Sequence, residues 1–348
     1  MELKELIISL SSQMSVTGSE SYSTDKLSSL IGGYFDESYT DKIGNHVFIK
    51  RCGREGAPRI LVDCHYDEIG LIVSCICEGG FIRVANVGGV DAKILQAAEV
   101  VIYGDREIYG VVCSTPPHLI KPEDRDKAKM IDELLIDTGY SKQELEEICH
   151  IGTPIGLAPH YTELLGGRLA GKGFDDKACG ACAVYALSGL DADSLAGDVY
   201  FAFTTREEVA GFAGATTATY AIDPDYALAM DVTNSWVPEV EGKKWTALDS
   251  GVAISVSAVT SRRLTKMTRE LCEGAGIKYT LRAEPRSTGT DANKIGTTLC
   301  GIPTVLASLP LRNMHTSNEI LSLDDANALA QLVKEFVTSK EIAEVMAR

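Results

Sequence analysis

Positive charge is scarce in this 348-residue chain: 33 Lys and Arg stand against 49 Asp and Glu, a formal net charge of −16. A nucleic-acid binder needs a basic face and an anchor on anionic lipid needs basic clusters, so neither partner class fits. Long apolar runs are missing too; none approaches the ~20 residues that span a bilayer. The N-terminal segment lacks the apolar core of a secretory signal, because its run from Leu6 to Leu10 is short and flanked by Glu2 and Glu5. Leu3, Leu6, Ile7, Leu10 and Met14 recur instead at helical spacing, which predicts an amphipathic surface helix. No Asn-x-Ser/Thr acceptor occurs. These absences together predict a cytoplasmic protein. Internal repeats, coiled coils and low-complexity segments are absent, as are a G-x-S-x-G elbow, a Walker A loop and an H-E-x-x-H helix.

What is present is apolar, at 45% of residues, and long enough for about two domains. The ten cysteines read as buried free thiols of a reducing compartment, with Cys75, Cys77, Cys113 and Cys300 in apolar segments. Cys179 and Cys182 form a C-x-x-C pair inside ACGACAVYAL, a run that reads as a packed helix rather than a redox or zinc motif.

Short β-rich runs alternate with helical stretches. The expected strands cover 59–63, 199–204, 226–231, 252–256 and 304–307. The expected helices cover 21–34, 177–190, 211–220, 261–273 and 323–337. That alternation predicts an α/β fold, a central sheet layered by helices. Between about 72 and 112 the pattern breaks into four strand-like runs with glycine-rich turns, which predicts a small β-barrel or sandwich. Charged helical stretches follow at 122–135 and 141–148, and the α/β pattern resumes near Gly166. The expected organisation is a domain of residues 1–71 plus 166–348, interrupted by a β-rich insertion over 72–165.

Five places put His or acidic residues at the end of an apolar run: His65 with Asp67, Asp175 with Asp176, Glu207 with Glu208, Asp231, and His315. Read singly, each has a plain structural explanation. Asp175 or Asp176 could cap a helix, Glu207 and Glu208 could be solvated charges, and Asp291 in Gly-Thr-Asp-Ala could cap another helix. In open α/β sheets, however, ligands bind beyond the carboxyl ends of the strands. Two His and three carboxylates converging there give the mixed N/O donors suited to Zn²⁺ or another divalent transition metal. Two metals about 3.5–4 Å apart need a bridging carboxylate and two further ligands each. The set supplies that number and leaves Glu207 over as a base. Asp67 is placed to accept from the His65 ring and fix its tautomer. His46, His118, His150 and His160 lack acidic company and read as surface or packing residues.

These motifs, in this order, resemble the M42 family of metallo-aminopeptidases, which includes the tetrahedral (TET) and glutamyl aminopeptidase-like enzymes. The likeness runs from Ser15-Val16-Thr17-Gly18-Ser19-Glu20 through His65-Tyr66-Asp67-Glu68-Ile69-Gly70, Asn86-Val87-Gly88-Gly89 and Pro116-Pro117-His118-Leu119. It continues through Asp175-Asp176, Glu207-Glu208, Asp231-Val232-Thr233, Gly289-Thr290-Asp291-Ala292 and Met314-His315. The resemblance implies that Asp175 bridges two metals, that His65 and Asp231 complete one site, and that Glu208 and His315 complete the other. It implies Glu207 as general base and acid, Asp67 as the residue orienting His65, and a cis Asp175–Asp176 peptide. It further implies Zn²⁺ or Co²⁺ as cofactors, short peptides as substrates, and oligomer contacts through the insertion, up to a tetrahedral dodecamer. Four positions depart from the usual pattern: Lys177 for Arg, Ala210 for Gly, Asn313 for Tyr and Ser317 for Pro.

The expected reaction is removal of an N-terminal residue, with Glu207 moving the proton. The alternative is a related M20-like dinuclear amidohydrolase or carboxypeptidase, to which Gly171-Lys172-Gly173 and the stretch from His315 to Glu319 bear a slight likeness. That chemistry needs a cation for a substrate carboxylate, which Arg312 or Lys294 would supply. From another class, a non-catalytic binding protein would not need the complete set of metal donors and base.

Overall fold

Runs apolar on both faces form the inner strands, and runs that alternate form a separate barrel. The computed structural model describes residues 1–119, 129–209, 211–238 and 245–347. Helix α1 (Leu3–Ser11) buries Leu3, Leu6, Ile7 and Leu10, and α2 (Thr24–Ile31) follows. Strands β1 (Glu37–Thr40), β2 (His46–Lys50) and β3 (Arg59–His65) come next. The chain then leaves for a closed barrel of β4 (Gly70–Ile76), β5 (Phe81–Val87), β6 (Glu99–Tyr103), β7 (Glu107–Val112), β8 (Leu135–Asp137) and β9 (Pro154–Leu157). Helices α3 (Ala92–Leu95) and α4 (Lys142–Ile148) lie between these strands in sequence. The hairpin β10 (Thr162–Leu164) and β11 (Arg168–Gly171) leads back. There follow α5 (Phe174–Ser188), β12 (Asp198–Thr204), α6 (Ala213–Ile222), β13 (Tyr226–Asn234), β14 (Val252–Ser257), α7 (Arg262–Ala275) and β15 (Tyr279–Glu284). The chain ends with α8 (Ala292–Ile295), β16 (Thr304–Leu311), β17 (Glu319–Ser322), α9 (Leu323–Thr338) and α10 (Lys340–Met346).

Among the described residues the main sheet has eight strands in the order β1-β2-β12-β3-β13-β16-β14-β15. Its centre, β12-β3-β13-β16, is parallel, so four carboxyl ends lie side by side. The edges bring antiparallel pairings, which makes the sheet mixed. Successive residues of a strand point to opposite faces. Ile60, Val62 and Cys64 of β3 and Val199, Phe201 and Phe203 of β12 join one core with α1, α5 and α9. Leu61, Ala202 and Ala229 join another with α6 and α8. Burying a side chain such as Phe201 stabilises the fold by about 1.5–3 kcal/mol. Helix α5 is apolar nearly all round because it packs against β3, β13, α1 and α9. The barrel has its own core, including Val73, Ile82, Val100, Ile102, Ile108, Ile136 and Ile155. Strand β7 alternates exposed and buried residues, as a one-sided antiparallel strand must.

The α/β fold with a barrel-like addition is therefore the observed one, with two local corrections. Of the helical stretch expected at 122–135, residues 122–128 lie outside the described residues. Residues 131–133 form a single 3₁₀ turn, and Leu135 opens β8. The second concerns the thiols. All ten are free, but Cys75 and Cys300 are exposed and Cys77 and Cys113 half-buried; the buried ones are Cys52, Cys64, Cys149, Cys179, Cys182 and Cys272. A register shift between Val73 and Cys75 disturbs the alternation of β4, and Cys75 ends up in solvent despite its apolar neighbours.

Candidate metal centre

The four parallel carboxyl ends each deliver acidic or imidazole groups to one crevice. His65 is the last residue of β3 and pairs in register with Thr204 of β12. Glu207 and Glu208 follow β12, Asp231 lies in β13 beside Ser308, and His315 follows β16. Asp175 comes from the irregular first turn of α5, where Asp175 and Asp176 are non-helical and their peptide is cis, as the resemblance implies. Neither caps the helix: Gly173 holds the N-cap position with φ +68°, and a Cβ there would stand 2.9 Å from Oε2 of Glu68.

The two oxygens of Asp175 divide between two groups. Oδ1 lies 2.9 Å from Nε2 of His65, and Oδ2 lies 3.2 Å from Nε2 of His315. His65 Nε2 is 3.8 Å from Asp231 Oδ1, and His315 Nε2 is 3.2 Å from Glu208 Oε1. In each triad, His65–Asp175–Asp231 and Asp175–Glu208–His315, one donor atom per residue lies within 4.8 Å of the others. Imidazole nitrogen and carboxylate oxygen are donors suited to divalent transition metals.

The electrostatics fit cations. Burial works against a charged His65 ring, but its bond to Asp175 and the carboxylates of Glu207, Asp175 and Asp231 outweigh it and raise its pKa well above the ordinary value. His315 is likewise lowered by burial and raised more by Asp175 and Glu208, to about 11. Asp231 is driven well up by burial and by Asp176. Glu207 reaches about 10, from burial and then repulsion by Asp231, Asp291 and Asp175, against the pull of His65. The buried lysines nearby do not relieve this. Lys172 lies 2.6 Å and Lys177 3.2 Å from the Glu68 carboxylate. Buried carboxylates crowded in this way are stable as anions when cations sit between them.

Asp67 supports the centre in an unexpected manner. The His65 Nδ1–H donates to the main-chain oxygen of Asp67 at 2.9 Å, which turns Nε2 toward Asp175 and Asp231. The carboxylate is 3.8 Å away, so the expected ring-to-carboxylate bond is corrected to a ring-to-carbonyl bond. The chain leaves the strand after His65, and the Asp67 carboxylate turns toward the next loop. There it accepts the N–H groups of Glu207 (3.0 Å) and Glu208 (3.2 Å) and the hydroxyl of Thr17 (2.8 Å). Asp291 stands at the N-cap position of α8, but its side chain makes no capping bond; the buried carboxylate instead accepts from Thr204 Oγ1 at 2.6 Å.

The triads open onto a cavity of about 400 Å³ whose walls include Glu207, Val209, Phe212, Thr233, Arg282, Glu284 and Met314. Arg312 and Lys294 are not in its lining. Arg312 instead donates to the Trp236 carbonyl. Among the described residues the Lys or Arg in its lining is Arg282, which is engaged by Glu284 at 2.6 Å and by the Thr233 hydroxyl. The cation required by the carboxylate-recognising alternative is therefore not where that alternative placed it, and the structure does not favour it. Of the departing positions, Lys177 is fully buried and donates to the Gln13 carbonyl, and Asn313 donates to the Asn318 carbonyl. Ser317 accepts from the side chain of Asn318. Ala210 lies outside the described residues.

Sequence reading missed Glu319, a buried carboxylate four residues past His315 that accepts three main-chain N–H groups. It also missed the pairing of Glu68 with Lys172 and Lys177, and the close approach of Gly89, where a Cβ would lie 3.2 Å from His315 Nδ1. The one available signal was the placement of these residues inside motifs already singled out.

Known proteins share the sequence and fold of this chain. The profile of the M42 glutamyl aminopeptidase family matches residues 44–332. A lysyl aminopeptidase of Pyrococcus furiosus is 34% identical over 86% of this chain and 86% of its own. An aminopeptidase from the archaeon Desulfurococcus kamchatkensis superposes with a TM-score of 0.90 at 32% identity, covering 99% of this chain and 98% of that one. The TET1 peptidase of Pyrococcus horikoshii, described as assembling into a tetrahedron or a large octahedral shell, superposes at 0.83 with 28% identity, covering 97% and 99%. The chain belongs to the M42 peptidase family and is a metal-dependent aminopeptidase.

Proposed function

We propose that this aminopeptidase works with two divalent cations per subunit, Zn²⁺ or Co²⁺, that share Asp175. His65 and Asp231 complete the first site, and Glu208 and His315 complete the second. The observation that carries the reading is the divided Asp175 carboxylate, with one oxygen facing each histidine. When bound, such cations polarise the scissile carbonyl and lower the pKa of water. Glu207 belongs to neither triad but lines the same cavity, so its carboxylate is free to take a proton from water and return it to the leaving amine. Asp67 holds Glu207 and Glu208 by their main-chain N–H groups and fixes the His65 tautomer through its own carbonyl. The acidic lining favours a substrate with a free α-amine, as exopeptidase selectivity requires.

Residues 72–165, which contain most of the barrel, are proposed to carry subunit contacts in a homo-oligomer of the tetrahedral dodecamer kind. The shell described for the P. horikoshii relative supports this. The cytoplasm is the proposed location, acting on short peptides. A panel of aminoacyl chromogens, with Zn²⁺, Co²⁺ and Mn²⁺ added back to apo enzyme, tests the reaction and the metal together. Free-amine substrates are expected to turn over and N-acetylated ones to resist. Equal turnover of the blocked substrates would contradict the reading.

A further inference from the structure

We infer that Glu319 is a positioning residue that holds the His315 half of the metal centre in its binding shape; this rests on the two-cation reading above. Glu319 opens β17 opposite Gly171 of β11 and is 2% exposed. Its Oε2 accepts the N–H groups of Phe174 (2.7 Å) and Asp175 (3.3 Å), and its Oε1 accepts the N–H of His315 (2.9 Å). One carboxylate thus ties the start of α5 to the loop after β16. Among the described residues it makes no ion pair, so these main-chain donors are its observed partners.

Both segments need an external hold. His315 has φ +64° and Asn313 φ +55°, in the left-handed region that side-chain-bearing residues rarely occupy. The first turn of α5 is irregular at Asp175 and Asp176, and the first N–H groups of any helix lack helical acceptors. A carboxylate accepts on both oxygens, whereas glutamine accepts on one and donates from the other end. In Glu319→Gln the amide oxygen stays with the two N–H groups of α5, and the NH₂ meets the single N–H of His315. Donor then faces donor, and the His315 loop is released. The His65–Asp175–Asp231 triad keeps its supports: the sheet, the Asp67 carbonyl and the bond from the α5 turn to the retained oxygen.

The test is a calorimetric titration of apo protein with Co²⁺, read in parallel by visible absorption. Wild type takes two equivalents. Glu319→Gln keeps one with native affinity and spectrum and binds the other about 10–100-fold more weakly. His315→Ala marks which equivalent is the weak one, and combining it with Glu319→Gln costs nothing further at that site. Native affinity for both equivalents, or parallel weakening of both with a lowered melting temperature of the apo protein, overturns the proposal. If Glu319→Gln does not fold, Glu319→Asp is titrated instead. Its shorter carboxylate keeps the charge but does not span both segments, and the same selective loss is expected. A wild type that takes fewer than two equivalents removes the two-cation reading itself, which separates that failure from this one.

Discussion

The two triads of the candidate metal centre are built differently. His65 and Asp231 belong to strands in the parallel centre of the mixed sheet, and their side chains are 2% and 9% exposed. Glu208 and His315 stand on loops after β12 and β16, and the His315 side chain is 31% exposed. Strand residues are held by ladder hydrogen bonds and by packing on both faces. Loop residues here are held by single buried carboxylates, Asp67 for Glu208 and Glu319 for His315. The difference teaches where precision originates: one half inherits it from the sheet, and the other borrows it from acceptors that meet orphan N–H groups.

The most drastic way to break the comparison is to remove the group the halves share. Asp175→Ala is expected to abolish both metal equivalents and reduce turnover to background, measured by metal analysis and kcat. Glu207→Gln is expected to lower kcat by about 10²–10⁴-fold while metal content stays at the wild-type value, since Glu207 is in neither triad. Loss of metal together with turnover would mean that Glu207 is a ligand instead. Chelation sharpens the contrast: a graded chelator titration should remove the loop-borne ion first, with the strand-borne ion retained at higher chelator. Simultaneous loss would mean that the halves are equally held. The mildest probe is Gly89→Ala, whose Cβ presses on the His315 ring. It should weaken one metal equivalent by about tenfold or less and leave the other alone.

Much of the fold was legible because the inner strands are predominantly apolar runs. Strands β3, β12, β13, β14 and β16 stand out, and β16 runs four residues past its expected end at 307. The barrel's longer strands were equally visible by their glycine-punctuated alternation. Short strands were not: β8 has three residues and falls where charged neighbours imitate a helix, and β9 has four with a leading proline. The residues of the two triads were legible because each is a polar group at or near the end of an apolar run. The supports were not legible, because their roles depend on which remote N–H groups meet them. Nothing within four residues of Glu319 announces that it will meet Phe174 and Asp175 across the fold. Asp67 was picked out for its side chain, and its main chain holds the imidazole.

Anomalous diffraction from crystals soaked in Zn²⁺, collected on both sides of the zinc edge, tests the central claim most directly. The account predicts two peaks about 3.5–4 Å apart flanking Asp175, one against His65 and Asp231 and one against Glu208 and His315. A single peak at full occupancy, or a pair that does not share Asp175, would contradict it.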